Sequence, residues 1–284
     1  TKKTRFNGGI MKINWFPGHM KKAQDEIKDK IKLCDVVIYV LDARIPFSSY
    51  NKNIDAIVEH KPILYVLNKC DLADMNKSTK AVETFEKQGK KALIFSNDNA
   101  KRKLMFDSLY DLLSAKIEKN ATKTIKRVHK IMVIGVPNTG KSTIINMLCG
   151  NKKVNAGDKA GVTRFTQWVK AGDDFVMLDT PGVLLPDMKD QTVADNLAFV
   201  GSIKDEILDL EELGFKLFQK LAEIAPEKLM ERYKLSNVSG TIENYDKVAK
   251  TMGCFSRGEV DYLRLGKQLL SDFRSGRIGR ISLE

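Results

Sequence analysis

The chain has 284 residues, 43% of them hydrophobic and 30% charged, with a formal net charge of +12. That suffices for a real core in one large domain or two smaller ones, while apolar runs such as Val36 to Leu41 are far too short to span a bilayer. Four scattered cysteines (Cys34, Cys70, Cys149, Cys254) and three histidines (His19, His60, His129) lack metal-ligand spacing, which argues for reduced thiols in the cytosol and against a disulfide framework or zinc site. No secretory signal is visible, and the basic, unpatterned stretch Thr1 to Ile10 reads as a tail outside the fold. The positive excess suits a polyanionic partner, or simply a surface of solvated lysines.

In chain order, Pro17-Gly18 marks a turn. Ala23, Ile27 and Ile31 then recur at helical spacing, with Trp15 and Phe16 as a hydrophobic anchor before them. Asp35 to Asp42 reads as a buried strand with an aspartate at its carboxyl end, and Asn51 to Val58 as a helix. Ile63 to Leu67 is a second strand and runs straight into Asn68-Lys69-Cys70-Asp71. Lys77 to Gln88 is a helix with Ala81, Val82 and Phe85 inward and Gly89 as its stop. Ala92 to Phe95 is a third strand, followed by Ser96-Asn97, and Leu104 to Ile117 a further helix. This alternation predicts an α/β domain with a mainly parallel sheet, which binds ligands at the carboxyl ends of its strands. A basic linker, Lys116 to Lys130, leads to the next strand, Ile131 to Ile134.

That strand is followed by Gly135-Val-Pro137-Asn138-Thr139-Gly140-Lys141-Ser142-Thr143 and then by the helical run Ile144 to Leu148. Strand, Gly-x-x-x-x-Gly-Lys-Ser, helix is a phosphate-binding loop in its required context. Gly135 and Gly140 allow backbone N–H groups to curl around phosphate oxygens, and the helix adds its positive N-terminal end. Lys141 suits the β- and γ-phosphates, and the Ser142 hydroxyl suits Mg²⁺. The Asp71 carboxylate matches the two donors of guanine, N1–H and the N2 amino group. Adenine would leave it unpaired, a mismatch worth ~10⁴-fold in discrimination. Asn68 would brace the base edge and the phosphate loop, and the Lys69 stem would cover the ring. Ser96 and Asn97 occupy the place of a backbone contact to the base. Asp179-Thr180-Pro181-Gly182 follows the apolar strand Phe175 to Leu178. Asp179 would hold Mg²⁺ through water, and Gly182 would offer its N–H to the γ-phosphate. Thr163, in the polar Ala160 to Arg164 segment, is either a switch ligand for Mg²⁺ or a loop threonine without a role.

From Asp190 onward helical patterns replace strands. Leu210, Leu213, Leu217 and Leu221 form one stripe, closed by Pro226, and Tyr245, Val248 and Met252 another, stopped by Gly253. Ser256-x-x-Glu259 predicts a capping box for the last helix. Its inward face would be Val260, Leu263, Gly266, Leu270 and Phe273, with Gly276 as the stop. Arg264, Lys267, Ser271 and Arg274 lie about 100° further round, and Arg277 and Arg280 extend that edge. Such a stripe is either a solvated face or an RNA phosphate surface. The division predicted is a GTP-binding domain over residues 1–188, with an arm over 1–33, and an all-α domain over 189–284.

The motif order is rearranged: Asn-Lys-x-Asp and Ser96 precede the phosphate loop, where an ordinary G-domain has them after it. The set is complete but circularly permuted, which is physically permitted when the original termini lie close together. Over nearly all of Met11 to Glu284 the chain resembles the ribosome biogenesis GTPase A family, the YlqF-type permuted GTPases. The resemblance rests on Trp15-Phe16-Pro17-Gly18-His19-Met20, Asp42-Ala43-Arg44-Ile45-Pro46, Asn68-Lys69-Cys70-Asp71, Gly135 to Ser142, Gln167-Trp168 and Asp179 to Gly182. The chain departs from the family's pattern at Thr139, at Ala160 and at Arg164-Phe165-Thr166. The resemblance implies GTP hydrolysis coupled to late assembly of the large ribosomal subunit; the motifs add GTP/GDP and Mg²⁺ as cofactors, and the expected protein is a cytoplasmic monomer. It implies rRNA contact, and so turns Arg264, Lys267, Arg274, Arg277 and Arg280 into an RNA-binding set. In GTPases similar at Asn138, this residue helps to hold K⁺. Val183 stands where many GTPases have a water-orienting glutamine. His19 is the candidate replacement, with capping or packing beside Trp15 as the bland reading. A nucleotide-gated RNA-binding scaffold with incidental hydrolysis is the alternative function. In either case contact of Gly182 with the γ-phosphate would set the orientation of the helical domain.

Overall fold

In the computed structural model, which describes residues 17–96, 99–118, 128–150, 167–180 and 190–284, the apolar runs form the expected strands. They are β1 (Val36–Asp42), β2 (Ile63–Asn68), β3 (Lys91–Ile94), β4 (His129–Ile134), β5 (Gln167–Ala171) and β6 (Phe175–Asp179). The six-stranded sheet has the order β3-β2-β1-β4-β6-β5, parallel except for β5 against β6. Strand order therefore diverges between β1 and β4, the position at which doubly wound sheets open a crevice for ligand. In register, Asp42 lies opposite Asn68, and Val133 opposite Asp179. The carboxyl ends carrying the predicted motifs are thus side by side.

Every residue of β1 is buried, as befits a central parallel strand covered on both faces. Alternation sends Val37, Tyr39 and Leu41 to one face. There they meet Ile27 and Ile31 of α1 (Pro17–Ile31), Ile54 and Val58 of α2 (Lys52–Val58), and Ala81 and Phe85 of α3 (Met75–Lys87). Val36, Ile38 and Val40 face the other way. They pack against Met105 and Leu109 of α4 (Asn99–Glu118) and Ile144 and Leu148 of α5 (Lys141–Cys149). Two local expectations change. Pro17 is the first residue of α1 rather than part of a free turn, a position where its missing N–H and fixed φ suit a helix start. Strand β5 was not expected at all: it is a short antiparallel edge in which Val169 and Ala171 are buried while Trp168 and Lys170 are exposed.

The C-terminal helices are α6 (Gln191–Phe199), α7 (Leu210–Ile224), α8 (Pro226–Tyr233), α9 (Ile242–Met252) and α10 (Tyr262–Arg274). The helical part is not wholly α. Phe255–Ser256 (β7) and Glu259–Val260 (β8) form a small hairpin whose turn residues Arg257 and Gly258 have φ of 52° and 81°, the signature of a tight two-residue loop. The predicted capping box falls in this hairpin. The cap of α10 is instead Asp261, whose carboxylate accepts the Arg264 N–H at 2.9 Å. With the helix starting later, its inward face also shifts. Tyr262, Leu265 and Leu269 are buried, while Leu263 is 42% exposed. The helical core, with Leu213, Leu217, Tyr245 and Leu265, also takes in Ile45 after β1 and Val136 of the phosphate loop.

Beyond α10 the chain returns to the sheet. The Ile281 N–H donates to the Leu72 carbonyl at 3.1 Å and that of Leu283 to Arg44 at 2.8 Å. The Glu284 carboxylate accepts the N–H groups of Phe47 (2.8 Å) and Ser48 (3.0 Å). Among the described residues no helix is long and apolar enough to cross a membrane.

Helices α7 and α10 cross at glycine. A Cβ on Gly266 would lie 2.1 Å from the Leu210 carbonyl oxygen, and one on Gly214 2.4 Å from the Gly266 Cα. Both obstacles are backbone, so neither can swing away. Gly266→Ala is expected to cost about 2 kcal/mol through overpacking, lowering the melting temperature by about 5 °C. An unchanged thermal transition would show that the helices part without cost.

Candidate nucleotide site

The phosphate loop is fixed by its close approach to β1. A Cβ on Gly135 would sit 2.3 Å from the Val40 carbonyl oxygen, and its φ is +148°, so only glycine lets the chain leave β4 on this path. Thr139 is buried, and its hydroxyl donates to the Val136 carbonyl at 3.1 Å. Lys141 opens α5 and is also buried. Its ammonium donates to the carbonyls of Gly135 (3.2 Å) and Val136 (3.0 Å), which centres the charge within the loop. Pro137 is buried in the same loop, and Ser142 and Thr143 are half-buried on the first turn of α5. This is the strand, loop and helix start expected for binding phosphate.

The guanine-motif loop is locked onto it. Asn68, at the end of β2, donates through Nδ2 to the Thr139 carbonyl at 2.7 Å. A Cβ on Gly140 would lie 2.2 Å from that nitrogen, so the glycine makes room for the asparagine. Lys69 has left-handed backbone geometry (φ 62°), and its ammonium donates to the Asn138 carbonyl. Asp71 lies in a single 3₁₀ turn, Cys70–Leu72. It is exposed and makes no hydrogen bond or ion pair among the described residues, which suits an acceptor for a base. Ser96 is half-buried just after β3. Asn97, Thr163, Gly182 and Val183 lie outside the described residues, as do the side chains of His19 and Asp179. The backbone of His19 belongs to α1, and Asp179 ends β6 opposite Val133, one strand from the phosphate loop. Ser142, half-buried on the first turn of α5, carries a hydroxyl oxygen, the hard type of donor that Mg²⁺ takes.

Sequence reasoning placed Asp42 among strand ends where ligands bind, and missed its partner. Asp42 is fully buried. It accepts Arg44 Nε at 2.9 Å and Nη2 at 2.7 Å, with the Lys69 ammonium 3.6 Å away. Burial alone would raise its pKa, but the Arg44 and Lys69 charges and the Arg44 hydrogen bonds overcome this and hold the carboxyl at about 2. The Arg44 guanidinium also lies 5.6 Å from the Phe273 ring centroid and donates to the Arg274 carbonyl at 3.5 Å. The available signal was two opposite charges, Asp42 and Arg44, directly after a buried strand.

The back of the phosphate loop rests on the helical part. The Ser202 hydroxyl donates to the Pro137 carbonyl at 2.8 Å. Asn138 has φ 62°, and its Nδ2 is 3.5 Å from the carbonyls of both Val200 and Gly201. Arg274 clamps the same turn: Nε donates to Phe199 at 2.9 Å, Nη2 to Ala198 at 2.8 Å, and both Nη atoms reach Asp205 at 2.8–2.9 Å. Arg274 was expected on an RNA surface. Its side chain is only 23% exposed and its fork is committed to these acceptors, so it braces the fold instead. Arg264, Lys267 and Arg280 are exposed, and Arg277 is 58% exposed while paired with Asp272 at 3.1 Å.

Residues 130–235 match the family described as 50S ribosome-binding GTPase. The protein named Ribosome biogenesis GTPase A of Bacillus cereus is 38% identical over 278 residues, spanning 96% of this chain and 94% of its own. The crystal structure of GNP-bound YlqF from T. maritima superposes with a TM-score of 0.66 at 29% identity, covering 93% of this chain and 97% of that one. A GDP-bound YlqF structure has the same TM-score and identity, covering 91% and 98%.

Asn68→Ala removes the bond between the two loops, and is expected to weaken guanine-nucleotide binding by about tenfold or more. Titration with a fluorescent GDP checks this, and unchanged affinity would make the contact incidental. Because the Asp42 pKa lies below that of an unfolded aspartate, its stabilisation is present above about pH 4 and lost as pH falls towards 2. Asp42→Asn should lower stability at neutral pH and flatten that acid limb, as read by urea unfolding across pH.

Proposed function

Because the chain belongs to the ribosome biogenesis GTPase A family and is thus a circularly permuted GTP hydrolase of ribosome biogenesis, we propose that it acts in late assembly of the large ribosomal subunit, as a cytoplasmic monomer contacting rRNA. The observation that carries the nucleotide reading is the Asn68–Thr139 hydrogen bond. It joins the Asn-Lys-x-Asp loop to the phosphate loop despite their reversed order in the chain, which supports a shared nucleotide site. The matched family's description as 50S ribosome-binding supports the choice of subunit. On this reading residues 1–188 are the GTP-binding domain, with an arm over 1–33, and residues 189–284 the helical domain. Arg264, Lys267, Arg277 and Arg280 would meet RNA phosphates there.

Asp71 would read guanine N1–H and the N2 amino group, with Ser96 and Asn97 beside the base. Lys141 would neutralise the β- and γ-phosphates. Ser142, Thr163 and Asp179 would hold Mg²⁺, which would supply positive charge to offset that of the phosphates. The Asn138 Nδ2 is turned towards Val200 and Gly201, so Oδ1 is the atom left to meet K⁺. With Val183 after Gly182, His19 would orient the attacking water once the ribosomal particle seats the arm. Coupling to the helical domain has two paths in this proposal. One is the switch around Gly182. The other is direct, because Pro137 and Asn138 rest on the turn that Arg274 clamps.

The test is GTP turnover in K⁺ and in Na⁺ buffer, with and without large ribosomal subunits. The expected result is slow basal turnover, stimulation by the subunit and by K⁺, and loss of subunit stimulation in His19→Ala. Tight GTP binding without stimulation would favour a nucleotide-gated RNA scaffold. A His19→Ala rate equal to wild type on the subunit would remove His19 from catalysis.

A further inference from the structure

Behind the guanine-motif loop, where it faces α10, lies a cavity of about 400 Å³. Arg44, Lys69 and Asn138 line one wall, and Lys267, Ser271 and Arg274 the other. Its charges do not cancel. Arg44 and Lys69 share the carboxylate of Asp42, and Arg274 is matched by Asp205. Lys267 is exposed and has no ion pair among the described residues. Four cations are thus set against two carboxylates, with the surplus at the α10 wall. Along that wall Lys267 and Ser271 are four residues apart on one helical face and present an ammonium and a hydroxyl, followed by the cap residue Ser275, whose own hydroxyl donates to the Ser271 carbonyl at 2.7 Å.

The lining also limits the ligand. Leu72 and Val200 are its apolar members, no aromatic ring lines it among the described residues, and the guanidinium groups of Arg44 and Arg274 are committed to Asp42 and Asp205, which disfavours a stacked nucleobase. The volume exceeds that of a bare phosphate and lies at the lower end for small-molecule sites. We propose that this cavity binds a ribose phosphate unit, with the phosphate between Lys267 and Ser271 and the sugar against Lys69 and Asn138. The unit comes either from a free sugar phosphate or from an RNA backbone. Lys69 and Asn138 also join the guanine loop to the phosphate loop, so occupancy is coupled to nucleotide affinity, and the coupling is reciprocal. The coupling rests on the nucleotide reading above, and the RNA-backbone source rests on the RNA contact proposed for Lys267, whereas binding of a free sugar phosphate rests on neither.

The test uses the full chain saturated with Mg²⁺ and a non-hydrolysable GTP analogue, so that the phosphate loop is filled. Ribose 5-phosphate and a hexauridylate RNA are titrated separately by calorimetry. Variants are Lys267→Glu, Ser271→Asp and, as a control, Lys247→Glu on the exposed face of α9. The expected result is saturable one-to-one binding of at least one probe, weakened tenfold or more by either cavity variant and less than twofold by the control. Saturation with ribose 5-phosphate assigns a free sugar phosphate, and saturation with the RNA alone assigns a backbone unit. Either probe should shift the affinity of the GTP analogue threefold or more, and binding without any shift overturns the coupling. Failure of both probes to saturate, or equal loss in Lys247→Glu, overturns the site. Neither result depends on ribosome-stimulated turnover, which tests the function proposed above.

Discussion

A single carboxylate buried at the end of β1 sets the terms for the rest of the molecule. An ionised aspartate with no solvent access needs counter-charge within a few ångströms, and removing a partner from such a group costs about 3–5 kcal/mol. Asp42 obtains that charge from two directions. Arg44 supplies a bidentate fork and reaches on to Phe273 and the Arg274 carbonyl. Lys69 supplies the second cation from the Asn-Lys-x-Asp loop, while its ammonium also holds the Asn138 carbonyl. The geometry of the nucleotide loops and the seating of the last helix therefore answer to the same charge. Neither can shift far without exposing the other to an unpaired buried ion.

Much of this was legible because the signals are local. The phosphate loop is read from nine consecutive residues between a strand and a helix, and the bracing role of Asn68 follows from the Asn-Lys-x-Asp motif at a strand end in a chain that has such a loop. The permutation needed only motif order. What escaped were features decided by partners far away in the chain. Arg274 looks like one member of a basic stripe until α6 is seen to end beside it, 75 residues earlier in sequence. The carbonyl contact between Arg44 and Arg274 spans 230 residues, and no periodicity encodes such a pair. Strand β5 is only five residues long, with a single large apolar residue, Val169, on its buried face, so it does not stand out without its β6 neighbour. The hairpin at Arg257-Gly258 was hidden by Ser256 and Glu259, which fit a capping box that Asp261 pre-empts.

Rearranged connectivity also shifts the work of closure. In the parallel sheet β1 must pair with β4 across the α4 crossover, and the shared register of Val36–Tyr39 with Ile131–Ile134 supplies that closure. The helical part then adds Val136 and Ile45 to its own core. The hydrophobic boundary between the two parts thus runs through the nucleotide loops themselves, and rigidity is concentrated where ligand discrimination is needed.

The returning segment after α10 has a consequence for how the chain is made. Ser282 donates its hydroxyl to the Ala43 carbonyl across 239 residues, and Glu284 holds the Phe47 and Ser48 N–H groups across a similar interval. At ordinary translation speeds that interval is on the order of ten seconds or more. A nascent chain therefore carries β1, β2 and the guanine-motif loop long before it carries the residues that pin them. During synthesis the Asn68–Asp71 loop has neither its phosphate loop nor its strap. The contacts that fix both nucleotide loops in place are thus completed only at the end of synthesis.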